Sequence, residues 1–388
     1  MPGSIKDKVA IVGMGCTKFG ELWDKGPSDL IVEAVSEAYS DAGVEAKDIQ
    51  AVWVGTQLGL SGRSVGEPLR LQYKPVTRVE NACASGTEAV RGAAYAIAAG
   101  IYDVCLAVGF EKLKDQGLVG LPLLENNTGT YFTSTTPGCF AIVATRYFSR
   151  YGLSPVEGKT MLARISVKSH HNGSLNPKAH LRREITIEQV LNAPIIAWPL
   201  GLFDCCGISD GAAAAVITRA DMARKFRPDP VYIKALQICG SPTAGRITAE
   251  YDYTHVEETY RAGIAAYTEA GIKNPRKEIS MAEVHDCFSI NEALTMEDLQ
   301  FSPRGRVKED IEAGVFKLDG ELPVQPDGGL KCFGHPIGAS GIRLLYEMYL
   351  QLQGKADKRQ IKDPKLGLTH NMGWEPYAAT VSVAIVGL

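Results

Sequence analysis

The stretch "NACASGTEAVRGAAYAIAAG", Asn81 to Gly100, decides how this chain is read. It follows the extended "PVTRVE" and opens with a turn, Asn81-Ala82-Cys83. It then continues as a helix built almost wholly of small residues. A surface helix carries a polar stripe; here Glu88 and Arg91 are the charged residues among Ala and Gly, which predicts burial on most sides. Cys83 stands at the helix start, where free backbone N–H groups and the helix dipole favour a thiolate. A shielded thiolate of this kind is a nucleophile for acyl groups. An inert, packed thiol fits the same position. This stretch alone leaves both readings open.

Strands and helices alternate around it. Val9–Val12 is a short apolar strand followed by "GMGCTKFG"; Lys18 stands where a dinucleotide fingerprint needs its third glycine, so that reading is rejected. Pro27-Ser28 starts a helix whose apolar positions are Leu30, Ile31, Ala34, Val35, Ala38 and Ala42, and Gly43 ends it. "AVWVG" (Ala51–Gly55) and "DVCLAVG" (Asp103–Gly109) are strands, the second apolar enough to be covered on both faces. This alternation predicts a layered α/β core. From about Lys112 to Pro194 the pattern breaks, with helices expected at Phe140–Tyr151 and Val156–His171 and a capping box at Thr186/Gln189. An irregular insertion of this length shapes a substrate pocket or a subunit contact, or both.

"SDGAAAAVIT" (Ser209–Thr218) returns to the core, and the charged, proline-bearing "RKFRPDP" (Arg224–Pro230) reads as a linker. Beyond it come a strand in "VYIKALQICG", a helix over His255–Ala270, a strand in "SMAEV" (Ser280–Val284) and a helix to about Gln300. A helix over Ala339–Gly354 and strands at Leu366–His370 and Ala378–Val386 complete the order. The second half thus repeats the first, with "CASG" (83–86) answered by "GASG" (338–341). Such self-similarity implies two related halves about a pseudo-twofold axis, with Cys83 facing His335.

Composition excludes several classes. A net charge of −3 over 388 residues leaves no electrostatic footprint for nucleic acid. The N-terminal "MPGSIKDKVAIVG" has no secretory pattern, and no apolar run is long enough to span a bilayer. Nine cysteines without regular spacing fit reduced thiols and a cytoplasmic location. Without a C-x-x-C pair, and with Cys205-Cys206 and His170-His171 directly adjacent, no metal site is expected.

Three turns carry reactive side chains: Asn81-Ala82-Cys83, His285-Asp286-Cys287-Phe288 and Gly334-His335-Pro336. A cysteine–histidine pair supplies a nucleophile and its activating base, and a second cysteine can move a proton. Singly, His335 reads as structural and Cys287 as packed; together they form a candidate catalytic set.

"NACASG", "HDCF", "GGLKCFGHPIGASG" (328–341) and "HNMG" (370–373) together resemble the thiolases, in particular the sterol-carrier-protein-type and archaeal branch. The resemblance runs the length of the chain and includes Asn176-Pro177 and the Asp204–Ala214 segment. It implies a five-layered α-β-α-β-α core from two βαβαβαββ halves with an inserted loop domain. The boundaries expected are 1–111 with 195–225 for the N-terminal half, 112–194 for the insertion and 226–388 for the C-terminal half. It further implies Cys83 as the acylated nucleophile. His335 would be its activator and an oxyanion-hole donor, and His285 the residue holding that hole's water. Most thiolases carry an acid/base cysteine near the C-terminus. Here the turn is Asn371-Met372-Gly373, so Cys287 inherits that role, and the Cys83 and Gly373 N–H groups form a second oxyanion hole.

The implied reaction is a reversible Claisen exchange on a 3-oxoacyl-CoA, with coenzyme A as substrate and no tightly bound cofactor. The other readings are acyl transfer to a non-CoA acceptor and a non-catalytic subunit that binds acyl-CoA or a partner. A homodimer or dimer of dimers is implied, and some relatives act with a small zinc-ribbon/OB-fold protein, acetoacetyl-CoA and benzoylsuccinyl-CoA thiolases among them. Two positions depart from the pattern: Trp374-Glu375-Pro376-Tyr377 follows Gly373 where glycines are usual, and Gln325 replaces a common asparagine. Trp374 marks either an unusual acyl group or plain packing. The aromatic residues Tyr131, Phe132, Phe140, Trp198 and Phe203 suit an aryl substrate or a core equally.

Overall fold

The computed structural model describes residues 3–117, 135–242 and 251–388. The first half supplies β1 (Val9–Cys16), α1 (Pro27–Ala42), β2 (Ala51–Gly55), β3 (Val76–Val79), α2 (Ser85–Ala98) and β4 (Val104–Glu111). Next come α3 (Thr136–Arg150), α4 (Pro155–Ser174) and β5 (Gly211–Arg219). The second half supplies β6 (Val231–Gly240), α5 (Glu257–Ala270), β7 (Met281–Glu283), α6 (Ser289–Asp298), α7 (Ile337–Leu352), β8 (Leu366–Gly373) and β9 (Thr380–Gly387). Among the described residues, nine strands form one sheet in the order β3-β2-β4-β5-β1-β6-β9-β8-β7.

The halves meet at β1 and β6, which pair only through Ala10↔Tyr232 and Ile11↔Val231. Outward from that seam the pattern is the same on both sides. β1 pairs antiparallel with β5, β5 antiparallel with β4, and β4 parallel with β2. β6 pairs antiparallel with β9, β9 antiparallel with β8, and β8 parallel with β7. β3 lies parallel beside β2, and its counterpart is a single parallel bridge, Ala282↔Val324. The repeat expected from "CASG" and "GASG" is therefore a repeat of topology.

The layers follow from the packing. α1 covers the outer face of the first half-sheet and α5 that of the second, while α2 and α7 lie between the half-sheets. β4 and β5 are thus buried on both faces, as their unbroken apolar sequence requires. Every residue of α7 except Leu350 is buried. Its charges are paired inside: Arg343 with Glu283 and Asp327, and Glu347 with Arg359. The two special helices begin against each other. A side chain on Gly86 would lie 2.7 Å from the carbonyl oxygen of Gly338, and one on Gly341 would lie 2.4 Å from the Thr87 nitrogen. Only glycine permits backbones this close.

The irregular region holds the expected helices, slightly longer than their sequence signals. Thr186 caps Ile187–Leu191 as anticipated. α3 and α4 pack on α6, with the Tyr147 hydroxyl donating to Glu297 Oε1 at 2.6 Å. One expectation is overturned. Arg224–Pro230 is not a loose linker: its first residues end the helix Ala220–Phe226. Arg227 is buried and bonded to Asp229, Asp41 and Tyr349. The guanidinium clamps the crossover to α1 of one half and α7 of the other. Among the described residues, no helix is long and apolar enough to cross a membrane.

Candidate active site

Cys83 lies in a taut turn just before α2. Ala82 adopts φ 46°, a left-handed conformation uncommon for a residue with a side chain. Short hydrogen bonds hold it there: Ala82 N donates to Glu80 Oε1 at 2.6 Å, and Ser85 Oγ donates to Ala82 O at 2.6 Å. Asn81 N in turn donates to Ser85 Oγ at 2.8 Å. β8 closes the turn from the other half. A side chain on Gly373 would meet the Asn81 carbonyl oxygen at 2.3 Å, so the end of β8 can reach the turn only as glycine.

His335, fully buried before α7, points Nε2 at Cys83 Sγ at 3.1 Å. Its other nitrogen fixes the tautomer. Ser340 Oγ lies 2.6 Å from His335 Nδ1 and donates its own proton to Pro336 O at 3.0 Å. Nδ1 therefore carries the imidazole proton, and Nε2 presents a lone pair to the thiol. His285 has the opposite polarity. Asn371 Nδ2 lies 3.1 Å from His285 Nδ1 and donates to it, which leaves the proton on Nε2. The two rings meet edge-on, centroids 5.2 Å apart. One base and one neutral donor thus converge on the sulfur.

Burial decides the resting charges. The Cys83 thiol is pushed up to about 12 by desolvation, with the Glu111 and Glu80 carboxylates adding to the effect. Burial thus opposes the thiolate that the helix start favours. His335 is pushed down to about 3, first by burial and then by the Arg343 cation. His285 is held well below its ordinary value by burial and by the neighbouring His335. The resting pair is a neutral thiol donating to a neutral imidazole.

Cys287 follows His285 and Asp286 and is almost wholly buried, which drives its thiol far up; the Cys206 and Cys83 thiols add to the shift. Cys206 N donates to Cys287 O at 2.8 Å, so the "DCC" segment and the "HDCF" turn form one short ladder. Gln325 holds the strand before His285 as a backbone substitute. Its amide accepts from Val284 N at 3.1 Å and donates to Val284 O at 2.6 Å. Phe140 stacks on Phe288 with centroids 4.5 Å apart, Phe203 packs edge-on to His170, and Trp198 is exposed. Tyr131 and Phe132 lie outside the described residues.

The fold therefore gathers Cys83, His285, His335 and Gly373 at one seam, with Cys287 beside them. Sequence reasoning missed Ser340, Asn371, Arg343 and Glu111. Of these, Ser340 and Asn371 stood inside the quoted "GASG" and "HNMG" stretches without their roles being read. Glu111 accepts from Thr56 Oγ1 and from Gln57 N, and burial raises its carboxyl to about 7.

Comparison with known proteins gives this geometry its relatives. A family profile described as "Thiolase, N-terminal domain" matches residues 9–221, and one described as "Thiolase C-terminal domain-like" matches residues 241–386. The acetyl-CoA acetyltransferase of Methanothermobacter thermautotrophicus is 39% identical, covering 97% of this chain and 98% of that protein. Sterol carrier protein 2 of Gallus gallus is 29% identical, covering 94% of this chain and 70% of that protein. Among solved structures, the Ltp2-ChsH2(DUF35) aldolase superposes with a TM-score of 0.85 at 26% identity, covering 99% of this chain and 98% of that one.

Proposed function

The chain belongs to the thiolase family and is an acyltransferase, and from that premise we propose a reversible Claisen exchange on a 3-oxoacyl-CoA through an acyl-enzyme on Cys83. The observation that carries this reading is the 3.1 Å approach of His335 Nε2 to Cys83 Sγ, with the imidazole tautomer set for proton acceptance. As the sulfur attacks the 3-oxo carbon, His335 takes its proton. The carbon–carbon bond breaks, and the departing enolate receives a proton from Cys287. Free coenzyme A then attacks the thioester, transfers its thiol proton to the Cys287 thiolate, and releases the acyl group as a new acyl-CoA. Restoring the neutral thiol on Cys83 returns the proton from His335.

His285 Nε2–H serves the substrate oxygen, directly or through water. The Cys83 and Gly373 N–H groups serve the tetrahedral intermediate on the acyl-enzyme. Residues 1–111 with 195–225 and residues 226–388 act as the two catalytic halves, and 112–194 as the inserted cover. The enzyme works as a homodimer or dimer of dimers with a small zinc-ribbon/OB-fold partner; the aldolase neighbour's assembly with ChsH2(DUF35) supports a partner of some kind.

Intact-mass spectrometry with acetyl, longer-chain and aryl acyl-CoAs tests this. Wild type gains the mass of the acyl group, and Cys83→Ser gains none while losing turnover by roughly a thousandfold or more. Acyl adducts without any requirement for free coenzyme A in turnover would redirect the reading to a different acceptor. Absence of an adduct across the panel, with and without a partner protein, would overturn it.

A further inference from the structure

Cys83, His285 and His335 are separated widely in sequence, yet the ligand-bearing atoms of all three lie within 4.8 Å of one another. We propose that these three side chains form a binding site for a borderline divalent cation, zinc(II) foremost, and that an ion seated there blocks the nucleophile. A tetrahedral zinc holds sulfur and nitrogen ligands about 3.5 Å apart. The Cys83–His335 edge, at 3.1 Å, already fits. The remaining edges need at most about 1.5 Å of closure, within reach of ring and thiol rotation.

The surroundings favour this ligand set. His335 is ready to coordinate: Ser340 holds its Nδ1–H, and the Nε2 lone pair is free, the arrangement metal-bound histidines adopt. His285 needs one exchange. Its Nδ1 now accepts from Asn371 Nδ2; a half-turn of that amide places Oδ1 against an Nδ1–H and frees Nε2. Thr87 Oγ1, 3.4 Å from Asn371 Oδ1, then accepts the displaced Nδ2. Glu80 and Glu111 add negative potential at the sulfur, which opposes a free thiolate and favours a cation. Both histidines are buried, while Cys83 is partly open, so the ion enters over the sulfur and water takes the fourth position.

Binding exchanges the Cys83 proton, released to solvent, for a sulfur–metal bond; no electrons change hands. Magnesium and calcium, which demand oxygen ligands, are excluded by the donor set. An acylated Cys83 cannot provide a thiolate, so acylation and metal binding exclude each other. The site itself rests on geometry alone, and only its blocking effect rests on the acyl-transfer reading.

Cobalt(II) is the probe, because a thiolate–cobalt bond gives a near-ultraviolet charge-transfer band without any need for turnover. The expected result is a saturable band at one ion per chain, displaced by zinc and unaffected by magnesium. Cys83→Ser loses the band, His285→Ala weakens binding by about tenfold or more, and Cys206→Ser keeps it. Should Cys83→Ser fail to fold, wild type alkylated at Cys83 with iodoacetamide replaces it. A band that survives loss of the Cys83 thiol, or none in wild type at millimolar cobalt, overturns the proposal. A band in protein that forms no acyl adduct would sink the acyl-transfer reading and leave the metal site standing.

Discussion

At the scale of single residues, the site works by holding two histidines neutral with opposite tautomers. Ser340→Ala removes the acceptor of the His335 Nδ1 proton and lets the ring present N–H to the sulfur. We expect kcat to fall about ten- to a hundredfold with KM little changed, read by steady-state kinetics. The pH profile carries a second signature. With His335 pushed down to about 3, its protonation leaves no acid limb near pH 6.5. The visible inflection in kcat/KM lies instead near pH 7, where Glu111 ionises. Its carboxylate opposes charge on Cys83, so the rate declines modestly as pH rises through 7, and Glu111→Gln flattens the curve. An inflection near 6.5 that persists in Glu111→Gln would assign the titration to a histidine. None of this was legible in the sequence, because desolvation is a property of the folded interior.

At the scale of elements, the interlocked starts of α2 and α7 set the distance between nucleophile and base. Gly338→Ala would place its new carbon 2.3 Å from the Gly55 carbonyl oxygen. Forcing that contact costs about 1–3 kcal/mol, measured by urea unfolding, and acylation of Cys83 slows because His335 is displaced with the helix. The sequence showed these elements well where periodicity was clean. The glycine that ends α1 and the capping box at Thr186 were readable because those signals are local. "CASG" and "GASG" disclosed the repeat itself. The helices between 136 and 191 were readable too, but not their packing on α6, whose partners such as Glu297 lie far along the chain. Arg227 was mistaken for linker because its partners, Asp41 and Tyr349, lie far along the chain.

At the scale of the whole molecule, buried titratable groups oppose one another in the response to acid. His285, His335 and His370 stay neutral in the native state well below the value of about 6.5 at which an unfolded chain protonates them. Their contribution is complete above pH 6.5 and is lost as pH falls. Glu111 and Asp298, each raised to about 7, and Asp286, raised to about 6, act in the other direction: their stabilisation is complete below the unfolded carboxyl range and is lost as pH rises through those values. Burial adds His170 and His180 to the first set and Glu283, Glu297 and Glu347 to the second, so from about pH 6 to 4.5 the two sets oppose one another. Below about pH 4 the raised carboxyls are protonated in both states, and each histidine still neutral in the fold removes up to about 1.4 kcal/mol per pH unit. Scanning calorimetry should find a nearly level midpoint to about pH 4.5 and a steep fall beyond it. A steep fall already at pH 6 would show the histidines acting unopposed. The seam between the half-sheets has a consequence in time as well as in space. Cys83 emerges early from the ribosome, but its base comes 252 positions later and the strand end that closes its turn is Gly373. The thiol therefore gains its base and its closed turn together, and only when the second half has folded against the first.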